Sequence, residues 1–153
     1  MTEKRGKAWR QSIFYPFQHA SLFGRGDVLL PIISSPVYDS QDYSDVPYLE
    51  AAAVWQEEKK ELTIFAVNRD WQEGMVLETE LKGFSDVRLI EHIVLEHPDL
   101  KAVNSKDHPD TIVPQANGET KITDNKVTSI LNKLSWNVIR LRQDPVSINI
   151  SRN

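Results

Sequence analysis

The stretch KAWRQSIFYPFQHASLFGRG, Lys7 to Gly26, holds the single helix-like pattern of this chain; the residues after it read as short strands and turns. Ile13, Phe14, Phe17, Ala20 and Ser21 recur at i, i+1, i+4, i+7 and i+8, which lines one face of a helix. Gly24 comes where a helix commonly ends on a left-handed residue. Pro16 is tolerated in a first turn but costs about 3 kcal/mol or more in a helix interior. The helix is therefore expected to start near Ser12, with Trp9-Arg10-Gln11 leading into it.

From Asp27 the texture changes. VLLPIISSPVYDSQDYSDVPYL, with three prolines among Asp and Ser, predicts a long irregular connection holding one short strand at Val28 to Ile33. Leu49 to Gln56 and Glu61 to Asn68 flank the charged turn EEKK, a hairpin pattern. Met75 to Leu81 alternates, with Met75, Leu77 and Leu81 on one side and Glu78 and Glu80 on the other. Val87 to Leu95 is apolar on both faces, which predicts a central strand. Glu96 to Ile130 is polar and turn-rich, with short strands at most and Asn117-Gly118 as its clearest turn dipeptide. Lys126 to Leu131 and Ser135 to Arg142 close the pattern, the latter with Trp136 and Val138 on one face and Ile139 and Leu141 on the other. Many short strands between turn signals favour a mainly β, antiparallel two-sheet sandwich preceded by one α-helix. The tail QDPVSINISRN alternates at Val146, Ile148 and Ile150, enough to add an edge strand.

At 153 residues and 40% hydrophobic, the chain suits one domain with one core. Its 18 Lys and Arg are scattered among 22 Asp and Glu, for a net charge of −4, which argues against nucleic acid and anionic membrane as partners. No apolar run approaches the roughly 20 residues that span a bilayer, and MTEKRGK has no apolar segment behind its basic residues. A cytoplasmic protein is expected. The absence of cysteine excludes disulfides, thiolate catalysis and Cys-ligated zinc.

No catalytic constellation closes within the chain. Asp39, Asp42 and Asp45 have three-residue spacing but lack the Gly turn and bidentate Glu of a calcium loop. His19, His92, His97 and His108 match no zinc motif, and His92 reads as a hydrogen-bonded core residue. Neither a metal nor a cofactor is expected. Trp9, Trp55, Trp71 and Trp136 admit two readings. Exposed indoles on a sandwich would stack on sugar rings as in an independent carbohydrate-binding module, whereas Trp55 and Trp136, inside strands, fit core packing better.

Five blocks in order, AWRQSIFYPFQHASLFGRG, ISSPVYDSQDYSDVPYLEAAAVW, LTIFAVNRD, RLIEHIVLEH and KLSWNVIRL, resemble the C-terminal part of bacterial intracellular α-L-arabinofuranosidases of glycoside hydrolase family 51. The resemblance runs from about Lys7 to Leu141. It implies that residues 1–26 are the remnant of the last strand and helix of a (β/α)8 barrel, that 27–143 form a jelly-roll-like sandwich, and that 144–153 are a tail. Family members are retaining glycosidases whose acid/base and nucleophilic glutamates sit about 5 to 5.5 Å apart on earlier barrel strands, so this chain holds no catalytic residue and alone should not hydrolyse arabinofuranosides. The resemblance assigns one substrate-binding role, to Gln11, which would hydrogen-bond the arabinofuranose once the barrel is present; otherwise Gln11 is an exposed residue at a helix start. The missing barrel is the implied partner, and arabino-oligosaccharide would be met only through the complete enzyme. The family sandwich also takes a strand from the enzyme's N-terminus, so an open strand edge and an uncovered helix face are expected, hidden in a homo-oligomer, with Val146 to Ile150 filling the vacant strand position.

Overall fold

The run Leu62-Thr63-Ile64-Phe65-Ala66-Val67 is apolar on both faces, and such a strand is stable only where two layers cover it. The rest of the fold supplies those layers. The computed structural model describes Lys4 and residues 6–144. In chain order its elements are α1 (Phe14–Phe23), β1 (Asp27–Leu29), β2 (Val37–Tyr38), β3 (Val46–Pro47), β4 (Leu49–Gln56), a 3-10 turn (Glu57–Lys59), β5 (Glu61–Asn68), β6 (Met75–Glu80), β7 (Val87–Leu95), β8 (Thr120–Thr123), β9 (Lys126–Leu131) and β10 (Ser135–Gln143). A five-stranded sheet runs β1-β4-β5-β10-β7 and a three-stranded sheet β6-β9-β8, with every pairing antiparallel. β2 and β3 form a separate ribbon.

The two sheets enclose the main core. Leu62, Ile64, Ala66, Ile139 and Leu141 of the large sheet meet Leu81, Val127 and Leu131. Leu131, Ile139 and Leu141 are wholly buried, and each such side chain is worth about 1.5–3 kcal/mol of transfer energy. On the outer face of the large sheet Val54, Phe65, Ile93 and Val138 pack with Phe23 and Trp136. Tyr15, Leu95 and Ile112 make a third cluster beside them. The hairpin β4–β5 turns through Lys60, which is left-handed at φ 53°.

Four expectations need correction. β7 is not central: the centre is β5 and β10, and β7 is the last strand of its sheet. Its two apolar faces are real, but its outer edge is sealed by a loop through the paired Val94–Gln115 bonds and the bond from Gly118 N–H to the His92 carbonyl. Asn117-Gly118 makes no left-handed turn; Gly118 is there because a Cβ would overlap the His92 ring. The first strand stops at Leu29, ahead of Pro31, which lacks an N–H for the ladder.

The helix differs most. It begins at Phe14, after a turn in which Phe14 N–H bonds to Gln11 and Tyr15 N–H to Ser12, and Pro16 sits harmlessly in its first turn. Gly24 ends it at φ −93° rather than left-handed. Its face of Ile13, Phe14, Phe17, Ala20 and Ser21 points outward, while Tyr15 and His19 are buried against the sheet. Both stripes carry apolar groups, so periodicity alone picks the wrong one. The expected uncovered helix face is present. Val146, Ile148 and Ile150 lie outside the described residues.

One end of the sheet interface is polar. Ser135 Oγ–H donates to the Asn132 carbonyl (2.6 Å), and Asn137 Nδ2–H to Ser135 Oγ (2.8 Å). Asn137 Oδ1 is then left to accept from His92 Nε2–H (3.0 Å). His92 Nδ1 lies 2.9 Å from Thr120 Oγ1, which is 2.8 Å from Ser129 Oγ. His92 is therefore a neutral core residue, as expected from its strand position. Burial lowers its pKa, against opposing hydrogen bonds from Asn137 and the main chain at Glu119.

A lowered folded pKa means the unfolded chain takes up the proton first. The stability that His92 contributes should be complete above about pH 6.5 and fall as pH drops toward its folded value. Urea midpoints at pH 7.5 and 5.5 should differ, and His92→Gln should narrow the gap; an unchanged gap would remove His92 as its cause. Gly118→Ala should cost about 1–3 kcal/mol by overpacking the His92 ring, read by the same urea titration.

Candidate functional site

Trp9-Arg10-Gln11 is held in place by a residue far along the chain. Asn104, buried in the long loop after β7, donates from Nδ2 to the carbonyls of Arg10 (3.0 Å) and Ile112 (2.9 Å). Its Oδ1 accepts from Ile112 N–H (2.7 Å). Gln11 returns the contact, its Nε2–H donating to the Asn104 carbonyl at 3.0 Å. The arrangement locks the loop, the lead-in segment and the helix start into one unit. Gln11 is half-buried rather than exposed, and its Oε1 remains an acceptor. The Arg10 guanidinium lies 5.1 Å from the centre of the Phe14 ring. Asn104 escapes a reading of the sequence because an asparagine among turn residues carries no sign of burial.

Behind this segment the helix is fastened to the sheet. Trp136 Nε1–H donates to His19 Nδ1 at 3.1 Å. Burial lowers the His19 pKa, partly offset by the charge of Glu91, so the ring stays the neutral acceptor that Trp136 needs. The Arg140 guanidinium sits 4.2 Å from the Phe23 ring centre. It bridges Glu61 (2.8 Å) and Glu91, and Arg142 also holds Glu61.

Glu61 and Glu91 are thus two carboxylates brought together that the sequence does not pair. Their chemistry is structural. Burial pushes the Glu61 carboxyl upward, but hydrogen bonds from Arg142 and Arg140 outweigh it and leave the pKa lowered. A glycosidase acid needs a raised pKa to keep its proton, and Glu61 is poised the opposite way. A signal for the cluster is present in the chain: Arg140 and Arg142 flank Leu141 in a strand that is otherwise uncharged, and buried charges demand partners.

The remaining candidates do not gather. Asp39 Oδ1 accepts Asp45 N–H at 3.0 Å and closes its own loop. Among the described residues, no group of three or more His, Asp or Glu is placed to hold a metal ion. Trp55 packs edge-on to Phe84, and Trp136 stacks on Phe65. Trp71 is 64% exposed, on a turn closed by Asp70 Oδ1. One exposed indole is too small a platform for a sugar-stacking surface, so these positions favour packing over carbohydrate binding. No described helix is long and apolar enough to cross a membrane.

A model of the family described as α-L-arabinofuranosidase C-terminal domain matches residues 1–135. The chain is 52% identical over 143 residues to intracellular exo-α-(1→5)-L-arabinofuranosidase 1 of Bacillus subtilis, covering 94% of this chain and 28% of that protein. It is 51% identical over 141 residues to the intracellular exo-α-(1→5)-L-arabinofuranosidase of Halalkalibacterium halodurans, covering 92% and 28%. The solved structure of AbfB, a family 51 α-L-arabinofuranosidase from Bifidobacterium longum, superposes with a TM-score of 0.83 at 33% identity, covering 90% of this chain and 27% of that one. The chain thus spans little more than a quarter of the length of these relatives. With a family match over most of its residues and the sandwich to go with it, this chain belongs to the α-L-arabinofuranosidase C-terminal domain family.

Proposed function

We propose that this chain is the accessory C-terminal part of an intracellular glycoside hydrolase that releases terminal α-L-arabinofuranosyl groups from arabinan or arabinoxylan fragments. Residues 1–26 are the remnant of the last barrel strand and helix, 27–143 the sandwich, and 144–153 a tail. Its own work is structural. It carries the end of the barrel, presents Gln11 to the sugar and contributes to oligomer contacts.

One observation supports this reading above the others: the outward face of α1. Ile13 and Phe17 are 67% and 72% exposed, Leu22 more than half, on a helix whose opposite face is already fastened to the sheet. An isolated domain gains nothing from such a stripe, whereas a helix completing a barrel buries it. The lock between Asn104 and Gln11 supports the role of Gln11, since a sugar-binding amide must be pre-positioned to be useful.

Hydrolysis of p-nitrophenyl α-L-arabinofuranoside tests the reading. The chain alone should show no turnover; turnover abolished by a single Glu or Asp substitution would place the catalytic centre here and overturn it. Joined to the barrel portion of the Bacillus subtilis relative, the chain should restore activity. In that hybrid, Gln11→Ala should lower kcat/KM by about 10- to 100-fold, the loss of one or two buried hydrogen bonds. Asn104→Ala should lower it in the same direction by releasing the segment. Full activity in the Gln11→Ala hybrid would remove Gln11 from the sugar site.

A further inference from the structure

Helix α1 has little of its own to hold it together. Its ten residues are fewer than the roughly 12–15 at which an isolated helix becomes even marginal in water. No side chain caps its N-terminus, its first turn has no acidic residue and its last turn no basic one. Its order therefore comes from the stripe it lays against the large sheet, Tyr15, His19 and Phe23, spaced at i, i+4 and i+8.

The two ends of that stripe make apolar contacts. Tyr15 joins Leu95 and Ile112, and Phe23 joins Val54, Phe65, Ile93 and Val138. Between them His19 is only 5% exposed, and its Nδ1 accepts from Trp136 Nε1–H at 3.1 Å. An indole nitrogen can donate but cannot accept. The bond therefore exists only while Nδ1 carries no proton, because an imidazolium would set a second N–H against the first.

The surroundings offer an imidazolium little compensation. The charged and titratable groups that face this joint are Arg140 of β10, Glu91 of β7 and Glu61 of β5, with Tyr15 on α1 itself. The Arg140 guanidinium lies 4.2 Å from the centre of the Phe23 ring, and that ring is centred 6.1 Å from the His19 ring. Both carboxylates are already committed, since Glu61 and Glu91 each bridge to Arg140 and Arg142 also holds Glu61. β4 and the loop holding Ile112 meet the stripe through apolar side chains. Burial lowers the His19 pKa, and the charge of Glu91 offsets this only in part.

We propose that His19 makes α1 an acid-released latch: when the ring takes up a proton the helix leaves the large sheet, while the two-sheet sandwich stays folded. The sandwich can stay because its main core, with Leu62, Ile64, Ile139 and Leu141 against Val127 and Leu131, lies on the opposite face of that sheet. In the released helix His19 returns to a pKa of about 6.5. The docked ring holds its proton less tightly than the released one, so docking is fully favoured above about pH 6.5 and weakens as pH falls toward the docked value. Ile13, Phe17 and Leu22 ride on the same helix, and acid therefore withdraws their exposed stripe as a preformed surface. The inference stands apart from the assignment to an enzyme and concerns only the joint between helix and sheet.

NMR of the full chain between pH 7.5 and 5.5 tests it through two readings. The Trp136 Nε1–H resonance should move with the same midpoint as the His19 ring protons, as its acceptor is lost; a resonance that stays in place through the His19 titration would overturn the proposal. Hydrogen-exchange protection factors of the amides from Gln18 to Phe23 should fall by about 5- to 10-fold over this range, the limit for one proton bound at a pKa of about 6.5 in the open form. The β5 and β10 amides should stay better protected throughout, since they open only with the whole sandwich. His19→Gln, whose side-chain carbonyl accepts from Trp136 without titrating, should hold α1 protection constant, whereas His92→Gln should keep the fall. An equal fall in His19→Gln, or protection in α1 no lower than in β5 and β10, would overturn the proposal as well. The Trp136 reading needs no variant, so the test stays decisive where a substitution unsettles the fold.

Discussion

Everything in this fold hangs on the pairing of β5 with β10, two strands covered on both faces. Eight residue pairs run from Ser135–Asn68 to Arg142–Glu61 without a break. Ala66, Val138, Ile139 and Leu141 have almost no contact with solvent. In such a place a missed main-chain hydrogen bond is not rescued by water and costs about as much as the bond itself. Register is therefore fixed, and a slip of one residue would send Val138 and Arg140 into the space of Ile139 and Leu141. The position of Arg140 has its own consequence. A guanidinium in a covered strand must be neutralised locally, and Glu61 and Glu91 from the two flanking strands do so. The ion cluster thus records the strand order β5-β10-β7 in charge as well as in hydrogen bonds.

Buried asparagines do for the connections what the ladder does for the sheet. Asn68 at the end of β5 is fully enclosed; its Nδ2 donates toward the carbonyls of Glu73, Leu131 and Asn132, and its Oδ1 accepts Asp70 N–H. One side chain thereby holds the turn after β5 to the end of β9 in the other sheet. Asn104 ties loop to helix start in the same manner, and Asn137 joins both sheets through His92 and Thr120. An amide suits these places because it satisfies donors and acceptors at once and carries no charge to desolvate. Removing Asn68 or Asn104 leaves main-chain groups unpaired, and removing Asn137 leaves the His92 and Ser135 side chains so, which makes the polar joints as specific as the apolar core.

This division explains what is legible in the sequence. β4, β5, β7 and β9 can be read with their true ends because hydrophobic alternation and turn residues respond to burial of one face at a time, a local property. The hairpin through Lys60 is legible in its charges. Strand order is not legible from β7, whose apolar faces suit a central strand equally well; a loop covering its edge cannot be seen in its own residues. The helix misleads for a related reason. Tyr15, His19 and Phe23 form the packed stripe and Ile13, Phe14 and Phe17 the exposed one, and a periodicity argument ranks the stripe with more aliphatic and aromatic carbon above the one that uses ring nitrogens and a hydroxyl. Gln11 is reached through resemblance alone. Its partner Asn104 sits 93 positions away and has no pattern to announce it.

Among the described residues, two open surfaces lie in different layers and make different demands. The outward stripe of α1 belongs to the outer side of the large sheet, and a helix of ten residues with Ile13, Phe17 and Leu22 exposed needs a broad apolar partner with no ladder to extend. The groove beside β6 belongs to the smaller sheet and needs one extended strand, because its rim offers main-chain groups and its floor only shallow pockets. A cover that suits one of these surfaces does not suit the other. The open edge of the smaller sheet and the exposed stripe of the helix are thus separate constraints, set by separate residues of the described chain.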